Sequence, residues 1–127
     1  MAPSLLERPK IAKIFSRDEE VILHQGDALT FLKSLPSGLA SLVITSPPYN
    51  LGKEYERKKA LQDYLQEQTE VINELVRVLR NDGSICWEIG NFVEDGEVYP
   101  LDSYFYRIFK EKNLRLGPCL ILIKSAF

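Results

Sequence analysis

The chain has 127 residues, the length of one domain or of part of one. A hydrophobic share of 45% can bury a core, and a charged share of 27% excludes a low-complexity tail. Two cysteines and one histidine exclude a disulfide framework and a histidine-rich or four-cysteine zinc site, and a net charge of −2 offers no electrostatic case for a nucleic-acid partner.

Residues 1–19 read as a polar arm with Pro3, Pro9 and the charged residues from Arg17 onward. It lacks the basic start and apolar stretch of a signal peptide, and no apolar run in the chain approaches the ~18 residues of a membrane span, so a cytoplasmic chain without membrane contact is expected. Ile11–Phe15 is either a docked strand or loose. Val21–His24 is a short strand, with His24 a structural residue, and Gly26-Asp27 stops it. A helix is expected from Ala28 to Leu35, ended by Pro36-Ser37-Gly38. Leu39–Ile44 is a continuous apolar run, which fits a strand covered on both faces. It stops at Ser46-Pro47-Pro48-Tyr49, where two prolines forbid further ladder pairing.

Leu61, Tyr64, Leu65, Ile72, Leu75, Val76 and Leu79 recur at helical spacing, so a long amphipathic helix is expected over about residues 57–80, stopped by Asn81-Asp82-Gly83. Ser84–Ile89 is the next strand, with Cys86 as buried filler and Trp87 and Ile89 on the face opposite Glu88. Gly90-Asn91 ends it. A loop through Asp95-Gly96 leads to a second amphipathic helix near 101–112, and Leu120–Ile123 is a last apolar strand. The alternation is that of an α/β protein, mainly parallel sheet with helices on its faces. Ligands of such sheets sit beyond the carboxyl ends of the strands. Three ends carry polar or special residues there: Gly26-Asp27, the Ser46–Tyr49 motif and Gly90-Asn91.

Taken alone, Ser46-Pro47-Pro48-Tyr49 is a proline-rich turn or a polyproline ligand. Its place between a buried strand and a helix puts it instead at the mouth of the sheet. Here the sequence resembles the DNA amino-methyltransferases, whose signature is Asp/Asn/Ser-Pro-Pro-Tyr/Phe at a strand end. Gly26-Asp27-Ala28-Leu29 one helix upstream resembles the acidic motif of the permuted, beta-class arrangement. Leu75 to Ile85 resembles the helix and strand after the catalytic loop. The resemblance covers about residues 20–116, leaving residues 1–19 as an arm and 117–127 as a divergent tail.

The resemblance implies a partial Rossmann-like, S-adenosylmethionine-dependent fold. It implies methyl transfer to the exocyclic amino group of cytosine (N4) or adenine (N6) in double-stranded DNA with a flipped base. The Ser form looks most like the cytosine branch, but adenine enzymes share it. Ser46, Pro47, Pro48 and Tyr49 are the catalytic candidates. Ser46 Oγ and the Pro47 carbonyl can accept hydrogen bonds from the amino group, the prolines preset that carbonyl, and Tyr49 offers a stacking face. Asp27 either binds the adenine end of the cofactor or caps the helix after it, and both can hold at once. Lys53, Arg57, Lys58 and Lys59 form a basic cluster, either a solvated helix start or a phosphate contact. No metal is implied.

No Gly-x-Gly loop, the family's cofactor fingerprint, occurs in the sequence. The expectation is a chain truncated before the target-recognition region and that loop. It would leave a two-strand gap in the sheet, unpaired edges, and little activity alone. Such a chain is expected to be marginally stable, to close the gap, to self-associate or to need a complementary chain. The alternative is a non-catalytic remnant or interaction subunit.

Overall fold

A computed structural model describes residues 9–52, 54 and 57–117. The expected strand at Leu120–Ile123, Cys119 and Lys53 lie outside the described residues. The elements run β1 (Ile11–Ala12), β2 (Val21–Ile22), α1 (Ala28–Ser34), β3 (Ala40–Thr45), α2 (Leu61–Val78), β4 (Leu79–Trp87), β5 (Asn91–Glu94), β6 (Glu97–Pro100) and α3 (Leu101–Glu111).

Among the described residues the strands form three two-stranded sheets rather than one mainly parallel sheet: β1 with β2 and β3 with β4 in parallel, β5 with β6 antiparallel. The α/β class stands, and β3–α2–β4 is the expected crossover unit, because parallel neighbours need a long connection. The hairpin was not expected. Asp95 (φ 50°) and Gly96 (φ 79°) both take the left-handed conformation that a tight two-residue hairpin turn requires. What reads as a loop is therefore a hairpin.

Helix α2 buries Tyr64, Leu65, Ile72, Leu75 and Val78 along one face. It ends earlier than expected. Leu79 turns extended, stays buried and pairs with Ala40, so the chain passes directly from helix to strand. Asn81-Asp82-Gly83 is thus no helix stop but an irregularity inside β4, where the register jumps between Ala40 and Leu42. Gly83 is needed there: a Cβ would lie 2.8 Å from Leu79 Cδ1 and 3.0 Å from the Ala40 carbonyl. Helix α3 buries Leu101 and Phe105 and ends on Asn113, whose positive φ lets Leu114 N–H bond back to the Phe109 carbonyl at 3.2 Å.

The core lies between α2, α3 and the hairpin: Tyr64, Leu65, Ile72, Ile89, Phe92, Leu101 and Phe105, with Trp87 and Phe109 packed against it. Trp87 therefore faces the core, as its strand position implies. The other face of β3–β4 is open. Leu42 is 57% and Ile44 73% exposed, so β3 is not covered on both faces. Cys86 pairs with Ile44 on that open face and is exposed, which corrects its reading as buried filler.

Arg77 ties α1 to α2. Its guanidinium donates to the Leu32 carbonyl (2.8 Å), the Leu35 carbonyl (2.9 Å), Ser37 Oγ (3.1 Å) and Glu74 (2.8 Å). Both carbonyls lie at the end of α1, where the Leu32 carbonyl also accepts the Leu35 N–H at 3.0 Å. Arg77→Met keeps the stem and removes these bonds. The expected loss is about 2–3 kcal/mol, since hydrogen bonds to charged groups carry more than neutral ones. Urea denaturation checks this, and an unchanged midpoint contradicts it.

Candidate active site

The parallel pairing sets Thr45 opposite Trp87, and Glu88 N–H donates to the Thr45 carbonyl at 2.9 Å. The carboxyl ends of β3 and β4 therefore emerge together. The Ser46–Tyr49 segment and Gly90 meet there. A Cβ on Gly90 would stand 2.9 Å from Tyr49 Cδ2, so the glycine gives the ring room to lie against the backbone.

Within the motif, Ser46 Oγ and the Tyr49 hydroxyl share a hydrogen bond of 2.9 Å. Ser46 and Pro48 are exposed, Pro47 is buried and Tyr49 is half-buried. The Pro48 carbonyl accepts from the Tyr64 hydroxyl at 2.6 Å. Asn50 follows with φ 62° at 2% exposure. Its side-chain amide donates to the Lys59 carbonyl and accepts from Lys59 N–H, both at 2.7 Å. The sequence alone does not single out Tyr64 or Asn50 as site residues. Tyr64 is indistinguishable there from a core residue of α2. Asn50 carried a weak signal, since asparagine directly after a proline turn tolerates the left-handed region.

The basic cluster is largely engaged. Lys58 Nζ donates to the Val93 carbonyl at 3.2 Å and stands 5.1 Å from the centre of the Phe92 ring, and Lys59 pairs with Glu67. Arg57 is exposed.

Asp27 lies apart from this convergence, after a strand that belongs to a different sheet. It caps α1: Oδ1 accepts from Thr30 N–H and from Thr30 Oγ1, each at 2.8 Å. Those bonds to the charged form, the backbone one first, hold its carboxyl below the ordinary aspartate range. His24, exposed just beyond β2, stacks on Phe31 with ring centres 4.6 Å apart. Because the folded pKa of Asp27 lies below the unfolded one, its contribution is present above the unfolded value. It is lost as pH falls through the folded value. In an NMR titration the Asp27 carboxyl is expected to titrate below an Asp27 peptide control, and α1 to loosen over that same acidic interval. Equal midpoints contradict the cap.

A cavity of about 680 Å³ lies elsewhere, lined by Ile85, Trp87, Phe105, Phe109 and Leu114 among others, between β4 and α3. Among the described residues no three His, Cys, Asp or Glu cluster as metal ligands, and no helix is long and apolar enough to cross a membrane.

A family model described as DNA methylase matches residues 40–116. Type II methyltransferase M.BglII of Bacillus subtilis is 42% identical over 93 residues, covering 72% of this chain and 26% of that protein. DNA adenine methyltransferase YhdJ of Escherichia coli (strain K12) is 36% identical over 77 residues, 56% of this chain and 25% of that protein. Type II beta methyltransferase M.BslI of Bacillus sp. (strain NEB-606) is 25% identical over 118 residues, 85% of this chain and 13% of that protein. The chain thus spans about a quarter or less of the length of these relatives. A parallel βαβ unit with Ser-Pro-Pro-Tyr at its strand end, matched to such proteins, defines a methyltransferase-type α/β protein. The chain belongs to the DNA methylase family of the N4/N6 amino-methylating type.

Proposed function

We propose that residues 20–116 are the catalytic-loop portion of an S-adenosylmethionine-dependent DNA methyltransferase of permuted, Rossmann-like architecture. It acts on the exocyclic amino group of cytosine (N4) or adenine (N6) in DNA. The observation that carries this reading is the Ser46–Tyr49 hydrogen bond at the joint carboxyl end of β3 and β4. It gathers an acceptor oxygen and an aromatic ring where a flipped base can enter.

The amino group of a base is a poor nucleophile because its lone pair is delocalised into the ring. Ser46 Oγ keeps a free lone pair beside its bond to Tyr49 and accepts one amino N–H. The Pro47 carbonyl, held in a preset direction by the two prolines, is the second acceptor. Two accepted bonds favour a pyramidal nitrogen with a localised lone pair. Tyr49 stacks on the base and orients it. When bound, S-adenosylmethionine supplies an electrophilic methyl group on sulfonium sulfur. The nitrogen lone pair would form the new N–CH3 bond as the S–CH3 bond breaks, S-adenosylhomocysteine would leave as a neutral thioether, and the surplus amino proton would pass to water, so no covalent enzyme intermediate is needed. Positioning and electrostatics carry the rate.

The donor set of the chain fits part of the cofactor. Asp27 is exposed, and a carboxylate has about four acceptor sites, so capping α1 leaves capacity for an amine of the adenine end. No Gly-x-Gly loop occurs in these residues. We therefore assign little or no activity to these 127 residues by themselves. The exposed Leu42 and Ile44 support this, since a sheet face of that kind is covered in a larger α/β fold. The test is a chimera in which this chain replaces the 93 matched residues of M.BglII. It is expected to transfer labelled methyl from S-adenosylmethionine to the relative's target DNA. The chain alone is expected to give no heat on titration with S-adenosylmethionine. Micromolar binding by the chain alone contradicts the assignment of inactivity. A folded, cofactor-binding chimera that labels no DNA contradicts the function.

A further inference from the structure

Tyr49 is held on both sides by groups outside the tetrapeptide. On one side, the ring of Pro48 fixes φ, which leaves ψ as its soft backbone torsion. The Tyr64 hydroxyl, donating to the Pro48 carbonyl at 2.6 Å, fixes that torsion. On the other side, Asn50 reverses the chain at φ 62° and exchanges two 2.7 Å hydrogen bonds with the backbone of Lys59. Both ties lead to one place. Lys59 stands just before α2, and Tyr64 lies in its first turn, with its N–H on the Ala60 carbonyl at 3.0 Å.

We propose that Tyr64 and Asn50 are positioning residues for methyl transfer, which dock the motif onto the first turn of α2 and so fix the attitude of the Tyr49 ring and the Pro47 carbonyl. This rests on the reading of Ser46–Tyr49 as the methyl-transfer site. The packing sets the two parts of Tyr64 apart. Its ring is 3% exposed and meets Phe105 edge-on at 6.2 Å, a task phenylalanine performs equally well. Its hydroxyl is directed at the motif. Tyr64→Phe removes the bond to the Pro48 carbonyl and leaves the ring in its packing place. The fold loses little, and the motif loses a constraint. Asn50 is likewise buried although polar, and both polar ends of its amide are used on the loop that leaves the motif.

Tyr64→Phe is the direct test. In the 127-residue chain, hydrogen exchange at the Lys59 amide is expected to rise about tenfold while Ile72 and Leu75 in α2 keep their protection. In the M.BglII chimera, kcat is expected to fall about tenfold to a hundredfold, with KM for DNA and Kd for S-adenosylmethionine within about twofold, since a misplaced reacting group loses rate rather than binding. Asn50→Asp keeps the acceptor for Lys59 N–H and tolerates positive φ, but loses the donor to the Lys59 carbonyl, and is expected to show the same split more mildly. Tyr64→Phe with the parent kcat overturns the proposal. A lower kcat accompanied by equal loss of protection at Ile72 and Leu75 also overturns it, because the role is then merely structural. A parent chimera that labels no amino group overturns the reading beneath, while the Lys59 exchange still decides whether Tyr64 docks the motif.

Discussion

Replacing Tyr49 with alanine in the chimera is expected to lower kcat for methyl transfer by about a hundredfold, since a base–aromatic stack is worth ~1–3 kcal/mol. Affinity for S-adenosylmethionine is expected to stay within about twofold, because the stack acts on the base and not on the cofactor. Two losses combine. The base loses the ring on which it rests, and Ser46 Oγ loses the hydroxyl partner at 2.9 Å that orients it. Tyr49→Phe separates them, retaining the stack and losing the hydroxyl, and is expected to lie between the parent and Tyr49→Ala. The measurement is single-turnover transfer of labelled methyl, with cofactor binding followed by calorimetry. Equal loss of transfer and cofactor binding in Tyr49→Ala contradicts the stacking role.

The second large effect is on stability. Phe92→Ala is expected to cost about 3–5 kcal/mol, as large-to-small changes at fully buried aromatics do. Phe92 is 0% exposed, sits 5.8 Å from the Tyr99 ring and lies beneath Lys58 Nζ. It is the residue through which the β5–β6 hairpin enters the core shared with α2 and α3. Domains of this size hold only about 5–15 kcal/mol in total, so this loss is a large part of it. Tyr49 leans on Gly90, just before β5, so loosening the hairpin also loosens the site. Urea denaturation of the chain is the check. A loss under about 1 kcal/mol contradicts the placement of Phe92 at the centre of the core.

The features legible in the sequence are those set by local chemistry. Two prolines in a row end a strand whatever surrounds them, and the motif does stand at the end of β3. Asp27 ahead of Ala28 caps α1 through a bond three residues away, which sequence spacing alone expresses. The apolar repeat of α2 gave its buried face. What escaped depends on partners distant in the chain. Cys86 reads as filler because its strand is apolar, yet its exposure follows from sharing an open face with Ile44. Asn81-Asp82-Gly83 has the composition of a helix stop, but Leu79 leaves the helix earlier because its pairing with Ala40 and its burial outweigh one more turn. Asp95-Gly96 was visible as a turn, while the flanking Phe92–Val93 and Val98–Tyr99 pairs show their alternation only once paired across it. In the site, the motif was legible and its anchors were not. Tyr64 and Asn50 reach it from sixteen residues away and from a clasp nine residues long.

The central claim is that the Ser46–Tyr49 segment presents a base amino group for methylation. Mass spectrometry of nucleosides from DNA methylated by the chimera tests it most directly. N4-methylcytosine or N6-methyladenine is expected, and its formation is expected to fall sharply with Tyr49→Ala. A methyl group on cytosine carbon 5, or product formation indifferent to Tyr49, contradicts the claim.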